Sequence, residues 1–158
     1  MKNQETHQQE IKEMIDAFRN AERWLFTLIQ DPTGQRYFQE KSMEVRMLEF
    51  AEQIERMQAF MDFCGNPEKS YPSIHVAGTS GKGSVVRLMA GIMKAANLRV
   101  GYHVSPYLQV CNEKLIVHDK MITPSEFVAL VEDFKGKYQR WLEENSEFEF
   151  LKYGEAWV

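Results

Sequence analysis

The stretch Ser73–Leu108, SIHVAGTSGKGSVVRLMAGIMKAANLRVGYHVSPYL, decides the fold. It opens on a short apolar run, Ser73–Ala77, which reads as a strand. Gly78-Thr79-Ser80-Gly81-Lys82-Gly83-Ser84 follows, and then Val85, Leu88, Met89, Ile92, Met93 and Ala96 recur at helical spacing. Asn97 can close that helix, and Leu98–Val104 reads as a second strand. Strand, loop, helix and strand make a βαβ unit, whose crossover helix predicts parallel strands. Ordering each of the glycines 78, 81 and 83 costs roughly 0.5–1 kcal/mol relative to alanine, more than a simple turn requires. A polyphosphate lying against the chain explains them. Glycines let backbone N–H groups approach and point inward, and the next helix brings its positive N-terminal end to the same place. Lys82 can then reach a β/γ-phosphate oxygen, while Ser84 or Thr79 can offer oxygen to Mg²⁺. The spacing departs from the common G-x-x-x-x-G-K-[ST] form, because Gly78 stands three residues before Gly81 and Gly83 intervenes between Lys82 and Ser84. A glycine-rich strand-to-helix turn with an exposed lysine is the competing reading.

Working outward, two helical segments precede this unit. From Glu10 to Gln30 the residues Ile11, Met14, Ile15, Phe18, Leu25, Leu28 and Ile29 share one face, and Asp31-Pro32-Thr33-Gly34 ends the pattern. From Glu40 to Cys64, Met43, Met47, Phe50, Ile54, Met57 and Met61 predict a helix with one buried stripe, in which methionine fills core gaps. Gly65-Asn66-Pro67 stops it. After the βαβ unit, Ser105–Asn112 is a loop opened by proline, and Glu113–Ile122 reads as a hairpin-like segment turning at Asp119-Lys120. Thr123-Pro124-Ser125-Glu126 is a capping box with proline at the first helical position, followed by Phe127, Leu130, Val131, Phe134, Tyr138 and Trp141 on one face. The fold expected is α/β, a P-loop-type parallel sheet core flanked by helices and preceded by two N-terminal helices. Residues 1–66 would form a helical segment packing on residues 67–158. The ending EFEFLKYGEAWV, Glu147–Val158, runs from a possible strand into a first helical turn, too short to repay helix nucleation, and predicts a truncated chain.

The 158 residues, 44% hydrophobic and 27% charged, are enough for one core of ordinary size. A net charge of −4 argues against constitutive nucleic-acid binding, so a phosphate ligand must be held locally. The first thirty residues lack the basic and apolar regions of a signal peptide, and no stretch is long enough to span a bilayer, which points to the cytoplasm and no membrane partner. Cys64 and Cys111 lie far apart without metal-ligand spacing and read as packed thiols. His75 and His103, in or beside strands, fit no nucleophile or metal pattern and are assigned no chemistry.

Three linked motifs carry a family resemblance. HVAGTSGKGS, His75–Ser84, resembles H-V-A-G-T-N-G-K-G-S of the folylpolyglutamate synthase/dihydrofolate synthase family, in the Mur ligase superfamily, with Ser80 in place of asparagine. Upstream, RMQAFMDFCGNPEKSYPSIHVAGT resembles that family's lead-in helix and Gly-Asn-Pro turn. Downstream, VGYHVSPYLQVCNEKLIVHDKMIT resembles its V-G-x-x-x-S-P-H-L loop and E-R-I strand, with Tyr107 for histidine and Lys114 for arginine. The resemblance implies an ATP-dependent amide ligase that converts a carboxylate to an acyl phosphate, which the amino group of L-glutamate attacks. The substrates implied are folate or dihydropteroate with L-glutamate, and the cofactors ATP and Mg²⁺. Residue by residue, it makes Lys82 the phosphate-binding lysine and places Gly78, Thr79, Ser80, Gly81, Gly83 and Ser84 around the nucleotide. Ser84 is the hydroxyl at the magnesium end, Ser105 a second magnesium contact beside a substrate loop of Ser105, Pro106 and Tyr107, and Glu155 the metal-binding glutamate, with Glu149 its rival. It further implies a monomer at full length, of which these residues are an N-terminal part expected to be inactive alone. Another Mur-type amide ligase, its S-P loop accepting a different carboxylate, and a non-catalytic nucleotide-binding module remain open alternatives.

Overall fold

The computed structural model describes residues 2–29 and 40–146. Helix α1, Lys2–Thr27, starts well before Glu10, because the polar lead of lysine, glutamine and glutamate contains good helix formers and no breaker. Helix α2, Met43–Phe63, begins on Ser42, whose hydroxyl accepts the Val45 N–H at 3.3 Å. It ends in a Schellman turn. Asn66 N–H donates to the Met61 carbonyl at 2.8 Å and Gly65 N–H to Asp62 at 3.0 Å, with Gly65 at φ +81°. A short 3₁₀ turn, Pro67–Ser70, leads through the extended Tyr71 and the irregular segment 72–77 to helix α3, Lys82–Ala95. Asn97 closes α3 as expected, at φ +59°, with Leu98 N–H on the Met93 carbonyl at 3.0 Å.

The small sheet consists of β1, Gly101–His103, β2, Leu115–Val117, and β3, Lys120–Met121. β1 pairs with β2 and β2 with β3, both antiparallel, with Tyr102 opposite Ile116 and Val117 opposite Lys120. The mixed α/β class and the two leading helices are thus present, but the parallel pairing expected of the βαβ unit is not. Ser73–Ala77 has no regular secondary structure and joins no sheet among the described residues, whereas β1 is met by the segment that folds straight back onto it. A direct return of this kind forces antiparallel pairing. The β2–β3 turn falls on His118-Asp119, one residue earlier than expected. Both have positive φ, 51° and 62°, the type I′ geometry that matches strand twist.

Helix α4, Pro124–Glu144, opens on the anticipated capping box. Thr123 N–H donates to Glu126 Oε2 at 2.7 Å and Glu126 N–H to Thr123 Oγ1 at 3.2 Å. The Thr123 N–H, and then the Thr123 hydroxyl, which donates to the same Oε2 at 2.8 Å, hold the Glu126 carboxyl below its usual range. Thr123→Ala is expected to cost about 1 kcal/mol, read as a lowered midpoint in urea with unchanged slope.

The described residues form two compact units, one within residues 1–18 and 73–130 and the other within residues 19–72 and 131–158. In the first, Phe127 is buried with its ring 5.0 Å from that of Phe18, and Cys111, Asn112 and Ala90 are buried as well. In the second, Phe60 of α2 meets Phe134 and Trp141 of α4 edge-on at 5.6 and 5.4 Å, and Trp24 of α1 meets Phe134 at 5.7 Å. Such offsets suit the aromatic quadrupole. The methionine stripe of α2 is not the buried stripe expected: Met43, Met47, Phe50 and Ile54 are exposed, and Phe60 is the helix's buried residue. Periodicity found apolar residues but not the buried face: Phe60, which meets the aromatic cluster, lies outside the expected stripe. In α3, Val85, Leu88 and Ile92 are likewise exposed. Cys64 and Cys111 form no disulfide, and burial raises the pKa of Cys64. No helix among the described residues is long and apolar enough to cross a membrane.

Candidate functional site

The glycine loop joins Ser73–Ala77 to α3. Gly81 takes φ +74°, a left-handed conformation that costs an L side chain roughly 1–2 kcal/mol and glycine almost nothing, and it occupies the N-cap position of α3. The first helical bond, Val85 N–H to the Gly81 carbonyl, measures 3.0 Å. The N–H groups of Lys82, Gly83 and Ser84 therefore head the helix with no intrahelical acceptor, where the helix dipole also favours an anion. A Cβ added at Gly81 or Gly83 would meet no heavy atom within 4 Å, so this face of the loop is open.

Lys82 folds across the turn. Its Nζ donates to the Gly78 carbonyl at 2.7 Å, tying the first residue of the loop to the first of the helix. Thr79, Ser80, Lys82 and Ser84 are all exposed. Open glycine backbone, an ammonium and two or three hydroxyls at a helix N-terminus are the donor set that a polyphosphate requires. Hydroxyl oxygens such as those of Ser84 and Ser105 are hard donors compatible with Mg²⁺.

The second predicted group, Ser105, Pro106 and Tyr107, belongs to the same compact unit as the glycine loop. Ser105 and Pro106 are exposed and joined by a cis peptide bond, while Tyr107 is half-buried with Lys114 Nζ 5.4 Å from its ring centroid. His103, at the end of β1, has its imidazole held below the ordinary value by desolvation and then by the Lys114 charge. Glu149 and Glu155 lie outside the described residues. Among the described residues no three of His, Cys, Asp and Glu gather as a metal cluster.

One contributor escaped the sequence reading. Glu113 accepts three consecutive backbone N–H groups, Leu108 on Oε2 at 2.9 Å and Gln109 and Val110 on Oε1 at 2.9 and 3.0 Å. Its signals were its place as the glutamate of the E-R-I resemblance and its position three residues after Val110, the spacing at which a carboxylate reaches back to the head of a helical turn.

No family model matches the chain. It is 43% identical over 76 residues to the dihydrofolate synthase/folylpolyglutamate synthase of Mycobacterium tuberculosis, a match covering 48% of this chain and 16% of that one. Its fold superposes on the Mycobacterium tuberculosis folylpolyglutamate synthase complexed with ADP with a TM-score of 0.70 and 27% identity, covering 90% of this chain and 28% of that one. A folylpolyglutamate synthase–AMPPCP–folate complex matches with a TM-score of 0.60 and 28% identity, over 64% of this chain and 24% of that one. The chain thus spans less than a third of the length of each of these proteins.

Proposed function

We propose, for a chain related in sequence and fold to the dihydrofolate synthase/folylpolyglutamate synthase family, that it supplies the ATP-phosphate-binding segment of a ligase joining L-glutamate to a folate or dihydropteroate carboxylate. The observation that carries this reading is the open loop Gly78–Ser84 at the head of α3, with the Lys82 ammonium lying across it. In this reading residues 1–66 are the helical lead-in and residues 67–158 carry the nucleotide-binding part.

The chemistry follows from the leaving group. A carboxylate does not release oxide to an attacking amine; once it has accepted the γ-phosphoryl group as an acyl phosphate, it can release phosphate instead. The chain's part is to hold and orient the transferring group and to neutralise its charge. Main-chain N–H groups from Gly81 to Ser84 would bind phosphate oxygens, and Lys82 would exchange its bond to Gly78 for one to a β/γ-oxygen. Ser84 and Ser105, with Glu155 or Glu149, would hold Mg²⁺, which when bound screens the phosphates as a Lewis acid. Ser105, Pro106 and Tyr107 would receive the folate-type substrate, with Tyr107 offering an aromatic face.

Calorimetric titration of the 158-residue chain with AMPPCP tests the reading. Saturable binding that requires Mg²⁺ is expected, with Kd between about 1 μM and 1 mM, the range in which enzymes commonly hold substrates. Absence of heat at millimolar nucleotide, with the chain folded, would remove the phosphate-cradle assignment.

A further inference from the structure

We infer that Glu113 and Lys114 are positioning residues for the Ser105–Tyr107 loop, fixing the surface it presents to a pterin-like substrate. The inference rests on the reading of that loop as the substrate site and extends it to two residues on another element. The 3₁₀ turn Cys111–Lys114 that carries both is anchored in the first unit. Cys111 and Asn112 are buried, and Asn112 Nδ2 donates to the Ile122 carbonyl at 2.8 Å. From this anchor the turn holds the loop at both feet. Ahead of Ser105, Val104 N–H donates to the Lys114 carbonyl at 3.1 Å; behind Tyr107, the N–H groups of Leu108, Gln109 and Val110 converge on the Glu113 carboxylate. Between the feet, the Lys114 ammonium lies over the Tyr107 ring, a cation–π contact on a lysine that is itself buried. Only a tripeptide remains between fixed points.

Three converging donors need an acceptor with two oxygens. An ionised carboxylate offers acceptor sites on both, whereas a glutamine of the same shape would turn its own N–H₂ donors towards a backbone N–H. The bonds from Leu108, then Val110, with a smaller one from Gln109, outweigh desolvation and hold the Glu113 carboxyl below its usual range. The sign follows: the loop is ordered above the ordinary glutamate range and loses its rear foot as pH falls through the depressed value.

NMR of the ¹⁵N-labelled chain reads both parts. In the parent, the amide protons of Leu108, Gln109 and Val110 should move upfield together on acidification, with one midpoint below 4.5, the ordinary glutamate value. In Glu113→Gln this common titration should vanish. Folic acid, with AMPPCP and Mg²⁺ present, should shift Ser105 and Tyr107 in the parent. In Glu113→Gln it should do so with affinity about tenfold weaker, the low end of what one lost bond to a charged acceptor costs, while the affinity read from AMPPCP shifts at Gly78–Ser84 falls less, because Ser105 meets the nucleotide only through Mg²⁺. Glu113→Asp, which retains the carboxylate, should recover part of the folate response. Unchanged folate affinity in Glu113→Gln, or parallel loss of folate and nucleotide response, overturns the positioning role. A parent that responds to AMPPCP but not to folic acid overturns the substrate-loop assignment and this inference with it. A parent that responds to neither overturns the nucleotide reading itself.

Discussion

Lys82→Ala is expected to weaken Mg²⁺–AMPPCP binding by about 10- to 150-fold while leaving thermal stability nearly unchanged. A hydrogen bond to a charged partner contributes about 1.5–3 kcal/mol, and each 1.4 kcal/mol is tenfold in affinity. The folded state gives little reason for this lysine to matter to stability, since its side chain is exposed and hydrogen-bonds a single carbonyl, that of Gly78. A pair of measurements therefore separates ligand binding from folding: calorimetry with the nucleotide, and the melting midpoint without it. Lys82→Arg sharpens the comparison, because guanidinium keeps the charge but replaces a compact ammonium by a planar fork. Affinity in Lys82→Ala equal to the parent would leave the loop as a structural turn.

The largest effect on stability is expected from Trp141→Ala. Trp141 is 0% exposed, and its ring lies 5.4 Å from that of Phe60 and 6.4 Å from that of Tyr138. Removing a buried aromatic side chain costs about 3–5 kcal/mol, through lost transfer energy and the cavity left behind. For a chain of this size that lowers the melting midpoint by roughly 6–20 °C. Met47→Ala is the contrast. Sequence periodicity treats Met47 as core, yet it is 63% exposed, and its truncation should change stability by no more than about 0.5 kcal/mol. A larger loss in Met47→Ala than in Trp141→Ala would contradict the packing described for the second unit.

The two residues also show where sequence reading succeeds and where it stops. Trp141 and Met47 both fall on helical apolar faces, and periodicity marks both, because it reports which side of a helix repels water and not what lies against that side. Local chemistry was legible where a residue's own backbone neighbours decide the outcome. Asn97 closes α3 and Thr123 with Glu126 opens α4, each through bonds to residues three to five positions away. The helix that follows the glycine loop was legible for the same reason. Strand pairing was not. Ser73–Ala77 and β1 both have strand-like composition, but nothing local specifies the neighbour, and β1 pairs with β2, which the intervening loop returns to it. Tyr107 was recognised from a motif, whereas the grip of Glu113 on Leu108, Gln109 and Val110 arises from a backbone shape that no single residue announces.

The division into units has a consequence for anyone who would cut the chain. Two of its three crossings, Phe18 to Arg19 and Leu130 to Val131, fall inside continuous helices, α1 and α4. Neither unit is a contiguous segment that can be excised, and a truncation at Pro72 would strip each of one of its two strands of sequence. Melting of one unit must also fray a helix shared with the other, so the two should lose structure in one cooperative transition instead of two.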